Sequence, residues 1–297
     1  MLEFHNISLS DKILVDKYHF EFGSRSAEHD FGNMLMWADS NRLITEHAGR
    51  LIVLNTYGGK KRFSFPQGKG ELRPAIDAML EYADANGFPF VMVGIEEDGK
   101  ELIENLYAGK FDFEPVRDYS DYVYSVEKLS TLSGKKLHAK RNHINRFVSE
   151  HSDWRFEEMR PEHFPLCRAL YEEWAQNAEN GTGSIDSERR ALEIAYEHFD
   201  EIGLFGGVLM LAGKLIAFTI AEQCASDCVN THFEKAADIN GAYAMINREF
   251  ALHISKTMTH IRYINREEDM GLENLRRAKQ SYYPEFLIDK YTAYRRD

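Results

Sequence analysis

The stretch ENLRRAKQSYYP, Glu273 to Pro284, has a counterpart earlier in the chain, ENLYAGKFDFEP, Glu104 to Pro115. Just upstream, Glu267-Glu268-Asp269 repeats Glu96-Glu97-Asp98. At that same offset Gly70 and Gly241 each precede a helix-like segment, and an apolar strand at Phe90 matches one at Ile261. Downstream, Tyr122 pairs with Tyr291 in the strands that follow. Motif, element order and spacing agree, so the chain reads as two copies of one fold joined near Gly134. The expected domains are 1–133 and 134–297, the second opening with a basic helix over 135–149.

The repeat separates scaffold from specialisation. Leu106 and Leu275 occur in both copies and read as packing residues. Pro115 and Pro284 occur in both and read as helix stops. The copies part where Tyr107-Ala108-Gly109 becomes Arg276-Arg277-Ala278, and where Phe111-Asp112-Phe113 becomes Gln280-Ser281-Tyr282.

Outside the repeat, Gly49 to Gly68 reads as two strands turning at Gly58-Gly59. Glu71 to Ala85 reads as a helix with Pro74 in its first turn. Glu127 to Gly134 reads as a domain boundary. Pro161 to Ala178 and Ser187 to Phe199 have helical apolar spacing around a loop at Asn180-Gly-Thr-Gly. Leu204 to Gln223 reads as a hairpin turning at Ala212-Gly213-Lys214, and Phe286 to Tyr294 as one closing strand. Strands alternating with helices place the chain in the α/β or α+β class.

With 297 residues, 43% of them apolar, there is material for one large or two ordinary cores. The net charge of −12 argues against general coating of nucleic acid or membrane, while a local basic groove stays open. Cys167, Cys224 and Cys228 form no framework and read as free thiols in a reducing compartment. No Cys/His set has metal-ligand spacing, so no metal is expected. No apolar run nears the ~20 residues that span a bilayer, and MLEFHNISLS lacks signal-peptide features. The expected location is the cytoplasm.

Three segments could carry chemistry. On the helix within Glu267 to Glu285, Asp269 can cap the start, and Arg276, Lys279 and Tyr283 share a face beside Tyr282. That face is either a solvated surface, with Glu273 pairing Arg276 or Arg277, or a cationic wall for phosphate or carboxylate. GKKLHAKRNHINRF, Gly134 to Phe147, carries Lys135, Lys136, Lys140, Arg141 and Arg146 without an acid. It is amphipathic, and either bridges domains in solvent or holds a phosphate-rich ligand such as RNA. Gly68-Lys69-Gly70 and Gly241 precede helices and could admit a phosphate, or simply turn the chain. His232 reads as a packed core histidine rather than a base.

YINREEDMGLENLRRAKQSYYPEFLIDKY, Tyr263 to Tyr291, together with GKKLHAKRNHINRF, resembles the C-terminal catalytic domain of bacterial phosphatidylglycerol lysyltransferases. The resemblance covers most of the chain. It implies a tandem pair of GNAT-like (acyl-CoA N-acyltransferase-like) domains, with mixed sheets flanked by helices, similar to Fem-type peptidyltransferases. Membrane-bound relatives move an aminoacyl group from aminoacyl-tRNA to a lipid headgroup. By that resemblance Arg276, Lys279 and the basic helix around Lys136, Lys140, Arg141 and Arg146 line the substrate side. Acetyltransferases usually place Gln or Arg three residues before the loop glycine; here Asp238 precedes Gly241.

The expected function is acyl or aminoacyl transfer from aminoacyl-tRNA or acyl-CoA to an amine or hydroxyl. The acceptor would be a small molecule, a peptide or a lipid headgroup. Arg276 and Lys279 would clamp an anion, Tyr282 or Tyr283 would donate a proton or position the substrate, and Asp269 or Glu268 could be the base. Arg277 joins the substrate side, and Gly68, Lys69, Gly70 and Gly241 are the positions for a CoA pyrophosphate. The competing expectations are an acyl-CoA-dependent N-acetyltransferase on a small amine, and a non-catalytic binder of ligand or RNA.

Overall fold

A computed structural model describes residues 2–38, 42–177 and 182–296. In chain order the strands are β1 (His5–Asn6), β2 (Arg42–His47), β3 (Arg50–Tyr57), β4 (Lys60–Ser64), β5 (Val91–Ile95), β6 (Phe111–Pro115) and β7 (Asp121–Ser125). They continue as β8 (Trp154–Glu158), β9 (Phe205–Leu211), β10 (Lys214–Ala225), β11 (Cys228–Ala236), β12 (Tyr263–Asn265), β13 (Phe286–Ile288) and β14 (Tyr291–Arg295). They form two seven-stranded sheets, ordered β1-β2-β3-β4-β5-β14-β6 and β13-β7-β12-β11-β10-β9-β8. Each sheet is mixed: β4–β5 and β11–β12 run parallel, and their neighbours within each sheet pair antiparallel.

The two orders show the duplication and one exchange. The last strand of the first copy, β7, lies in the second sheet, and the last strand of the second copy, β14, lies in the first. The compact units are therefore discontinuous: 1–121, 268–272 and 287–297 form one, and 122–267 with 273–286 form the other. A single cut at 133/134 does not describe them. The segment Glu127 to Gly134, expected as a boundary, opens within a helix, Val126–Thr131, of the second unit. The expected closing strand over Phe286 to Tyr294 is two strands in different sheets. Its alternating apolar residues suit either sheet, and only tertiary pairing separates them.

In the first unit the helix Leu72–Ala85 buries Leu72, Ala75, Ile76, Met79 and Ala83, the spacing of one helical face. That face joins Leu54, Phe63, Met92, Ile95, Ile103 and Ala293 in one core cluster. The turns at Gly58-Gly59 and Ala212-Gly213 have positive φ throughout (56°, 74°, 49° and 77°), as two-residue hairpin turns require. In the second unit the helix Ala242–Thr257 is buried on more than one face, including Met245, Ile246, Phe250 and Ile254. Of the expected Asn180-Gly-Thr-Gly loop, Asn180 and Gly181 lie outside the described residues, and a helix, Thr182–Glu197, starts at the third position. The cysteines are free and buried. Among the described residues no helix is long and apolar enough to cross a membrane.

Buried titratable groups lie in the first unit. Lys290, just before β14, is 3% exposed, and its Nζ lies 2.8 Å from Asp121 and 3.1 Å from Glu28. His29 is also buried, and burial pushes its imidazole down to about 3, with the His19 and Lys290 charges acting in the same direction. Neutral His29 is thus the native form, whereas the unfolded chain takes up a proton below the ordinary value of 6.5. The stability it contributes is full above that value and is lost as pH falls toward about 3. Between pH 7 and pH 5 this group should cost about 2 kcal/mol. Urea denaturation of His29→Gln, compared with the wild type at both pH values, should show a smaller pH loss in the variant.

Candidate functional site

The second unit gathers a cationic and aromatic cluster where β12 ends. Arg266 follows β12 directly, and its Nη2 donates to Glu234 Oε1 on β11 at 2.8 Å. The same oxygen accepts from Asn247 Nδ2 at 2.6 Å, so Glu234 fixes both side chains. The guanidinium lies 5.3 Å from the Tyr282 ring centre and 5.7 Å from that of Tyr124. The two tyrosines meet edge to face at 6.5 Å. Lys140, from the basic helix His138–Glu150, sets its ammonium 4.0 Å from the Tyr282 ring centre. One turn earlier, Lys136 lies 5.3 Å from the ring of exposed Tyr283.

Electrostatics distinguish these groups. Burial lowers the Lys140 ammonium, and the Arg266 charge lowers it further. Burial pushes the Tyr282 phenol up to about 12, against the pull of Arg266, so it keeps its proton at neutral pH. For Arg266 burial acts downward, and the Glu234 carboxylate with the two phenols outweighs it and raises the guanidinium. Its Nη1 is buried and has no hydrogen-bond partner. A buried, charged donor left open in this way costs stability and suits an incoming acceptor.

The basic helix and the Tyr282-Tyr283 pair, linked only by inference in the sequence, meet through Lys140 and Lys136. Other expected residues serve the fold. Lys279 is 8% exposed, and its Nζ donates to the carbonyls of Arg266 and Glu267, so it braces the end of β12. Arg141 donates to the Leu132 and Gly134 carbonyls and caps the helix Val126–Thr131. Arg146 pairs with Glu150 at 2.8 Å, and Arg277 with Glu273 at 3.4 Å, as exposed one-turn pairs. Arg276 is half-buried on the helix Glu273–Gln280. Asp269 is fully buried in the first unit, where it accepts from the Gly271 amide at 2.9 Å and lies 3.4 Å from Arg117. It therefore fixes the turn that leads into the helix Glu273–Gln280.

Close packing accounts for the glycines. A Cβ on Gly70 would lie 2.0 Å from the Ala48 carbonyl oxygen, and the Gly70 amide already donates to Gly49 O at 3.2 Å. Gly68 has φ +110° and presses on the Tyr18 ring, while Lys69 between them is exposed. Gly241, φ +90°, lies under the basic helix, where a Cβ would be 2.9 Å from His143 O.

Arg266, Glu234 and Tyr124 escaped the sequence reading. A signal for Arg266 was present, because at the offset of the acidic motif its counterpart is Ile95. The pairing confirms that equivalence: Ile95 faces Tyr291, and Arg266 bonds to Tyr122, the counterpart of Tyr291. Glu234 and Tyr124 come from other strands, and no local pattern ties them to Arg266.

His232 is buried as expected, yet its setting is polar. Its Nδ1 lies 3.2 Å from Glu267 and 3.3 Å from Asn230 Nδ2, and its Nε2 lies 3.3 Å from Glu222. Glu267 has φ +57°, a strained value for a side chain of this kind.

Residues 20–294 match the family described as phosphatidylglycerol lysyltransferase, C-terminal. A crystal structure of a conserved protein of unknown function from Bacteroides thetaiotaomicron is 34% identical, with all of both chains covered and a TM-score of 0.93. L-PGS from Bacillus licheniformis is 16% identical, with 96% of this chain and 92% of that one covered and a TM-score of 0.66. A tandem GNAT protein of the clavulanic acid biosynthesis pathway is 9% identical over 99% and 98% of the two chains, with a TM-score of 0.51. An uncharacterised protein of Mycoplasmoides gallisepticum is 26% identical over 61% of this chain, and the match spans 58% of that relative's length. The chain belongs to the phosphatidylglycerol lysyltransferase C-terminal family, and its fold is a tandem pair of GNAT-like domains.

Proposed function

We propose that the second unit transfers an aminoacyl group from aminoacyl-tRNA to an amine or hydroxyl acceptor. The observation that carries this reading is the Arg266 guanidinium beside Lys140 and Tyr282, whose buried Nη1 has no hydrogen-bond partner within the protein. Two cationic donors converging on one ring are suited to the oxygen that becomes negative when an ester carbonyl is attacked. In that step the acceptor's nitrogen or oxygen bonds to the acyl carbon. The bond to the terminal ribose oxygen breaks, and the acceptor's proton ends on that oxygen. Tyr282, still protonated, supplies the ribose oxygen with its proton and is reprotonated from the acceptor. Lys136 and exposed Tyr283 offer a charge and a stacking face for the tRNA end.

An acyl-CoA donor is less well supported. At one helix start the Gly70 amide is already bonded to protein, and at the other the basic helix covers Gly241. Asp238 and Glu234 add negative charge near the second. The purified chain should discharge labelled lysyl-tRNA onto phosphatidylglycerol or a small amine and leave acetyl-CoA intact. Release of free CoA without aminoacyl transfer would replace this reading with an acyl-CoA-dependent one.

A further inference from the structure

The β3–β4 hairpin of the first unit takes no part in the site above. Its tip reads Tyr57-Gly58-Gly59-Lys60-Lys61-Arg62, with Tyr57 78% exposed. Lys60 and Lys61 are exposed and Arg62 half-buried. Tyr57 sits opposite Lys60, and Asn55 opposite Arg62. Tyr57, Lys60 and Arg62 thus share one face, with the two cations roughly 7 Å apart along the strand. On the other face Lys61 rests 5.1 Å from the centre of Phe88, which packs on Phe63 and Tyr82. The tip is therefore braced.

Charge sets this hairpin apart. Exposed cations at the unit's C-terminal strand have carboxylate partners, Arg295 with Asp84 and Arg296 with Asp112. Lys17, Lys69 and Lys110, without a carboxylate partner among the described residues, are isolated in the sequence rather than adjacent. No salt bridge among the described residues involves Lys60, Lys61 or Arg62. Three adjacent unpaired cations in a chain of net charge −12 repel one another and hold counterions. A polyanion would displace those ions, and the exposed tyrosine can stack on an unpaired base. A bilayer fits less well, since the apex is Gly58-Gly59 and has no apolar side chain to insert.

We propose that the Tyr57–Arg62 hairpin is an RNA-contacting surface, gripping an unpaired segment of the RNA donor by phosphate pairing and base stacking. The identity of that RNA as tRNA rests on the transfer reading; the hairpin's affinity for RNA does not.

The test is binding of labelled deacylated tRNA and of a short oligouridylate to the full chain at several salt concentrations. Lys60→Glu/Lys61→Glu/Arg62→Glu should flatten the dependence of log affinity on log salt by about 2, near 0.7 per lost phosphate contact. Tyr57→Ala should weaken binding about 10-fold with the wild-type salt slope, because stacking releases no counterions. Tyr57→Ala should keep the wild-type melting temperature, and the triple variant, which loses the Lys61 contact with Phe88, should stay folded with a slightly lower one. Loss of binding in the hairpin variants with no transfer in any protein would sink the transfer reading and leave this one standing. Wild-type affinity and slope in the triple variant would overturn the hairpin proposal. So would loss of binding to phosphatidylglycerol-containing vesicles with RNA binding intact, which would make the hairpin a membrane contact.

Discussion

Removing residues 289–297 should unfold the first unit, although most of that unit lies at the other end of the chain. The deletion takes out β14, which pairs with β5 through Ile95, Met92 and Val91 and with β6 from Phe111 to Pro115. The central strand β5 would become an open edge, the terminal strand β6 would lose its neighbour in the sheet, and the core would lose Ala293, which is fully buried. The deletion also removes Lys290 from between Asp121 and Glu28, and Asp121 itself is fully buried. Taking one partner from a buried ion pair costs about 3–5 kcal/mol, a large share of the 5–15 kcal/mol typical of a whole domain. Lys290→Met in the full chain isolates that electrostatic part and should lose about the same 3–5 kcal/mol in urea denaturation. Hydrogen exchange is the decisive readout for the deletion. Amides of Val91–Ile95 and of residues 111–114 should exchange freely in the shortened chain, and persistent protection there would show that β14 is dispensable.

Arg266→Met should reduce aminoacyl transfer by about 10²–10³-fold, the usual effect of losing one preorganised donor at a developing oxyanion. The single variant strands Glu234 and so also destabilises the unit, which confounds the result. Arg266→Met/Glu234→Leu removes both charges, and exchanging a buried pair for apolar residues is often neutral or stabilising. The first copy already has an apolar residue, Ile95, at the equivalent position, fully buried. The double variant should therefore melt near the wild-type temperature and remain inactive. Arg266→Lys keeps the charge but loses the planar fork that reaches Glu234 and an open acceptor together, so it should recover little. Full transfer by the double variant would remove Arg266 from the mechanism.

Much of the fold was legible because the repeat is local. The acidic motif, the ENL motif and the proline recur at nearly constant spacing, and each acts within its own turn of helix. The hairpin turns were legible for a similar reason, since paired positive φ values demand Gly or a similarly tolerant residue. The strand exchange was not legible, because β7 and β14 have the same alternating pattern and could complete either sheet. The site was half legible. Its cationic side was expected from Lys136, Lys140 and the tyrosine pair, but Lys279, Arg141 and Asp269 looked equally available. Lys279 and Arg141 are held by backbone carbonyls, and Asp269 by the Gly271 amide and Arg117, partners that no sequence pattern singles out.

By itself, the sequence determined that the chain is a duplicated α/β fold with a basic helix opening its second half. Periodicity and turn chemistry act over a few residues, so they survive in a one-dimensional reading. Only the tertiary structure decided which cations are tied to the backbone. Lys279 and Arg266 are both basic and lie close in the chain. One spends its charge on two backbone carbonyls, and the other keeps a buried donor open beside Tyr282. That difference depends on β11, the helix His138–Glu150 and the tyrosines arriving from distant parts of the chain, and burial converts the arrangement into altered proton affinities and an open bonding position.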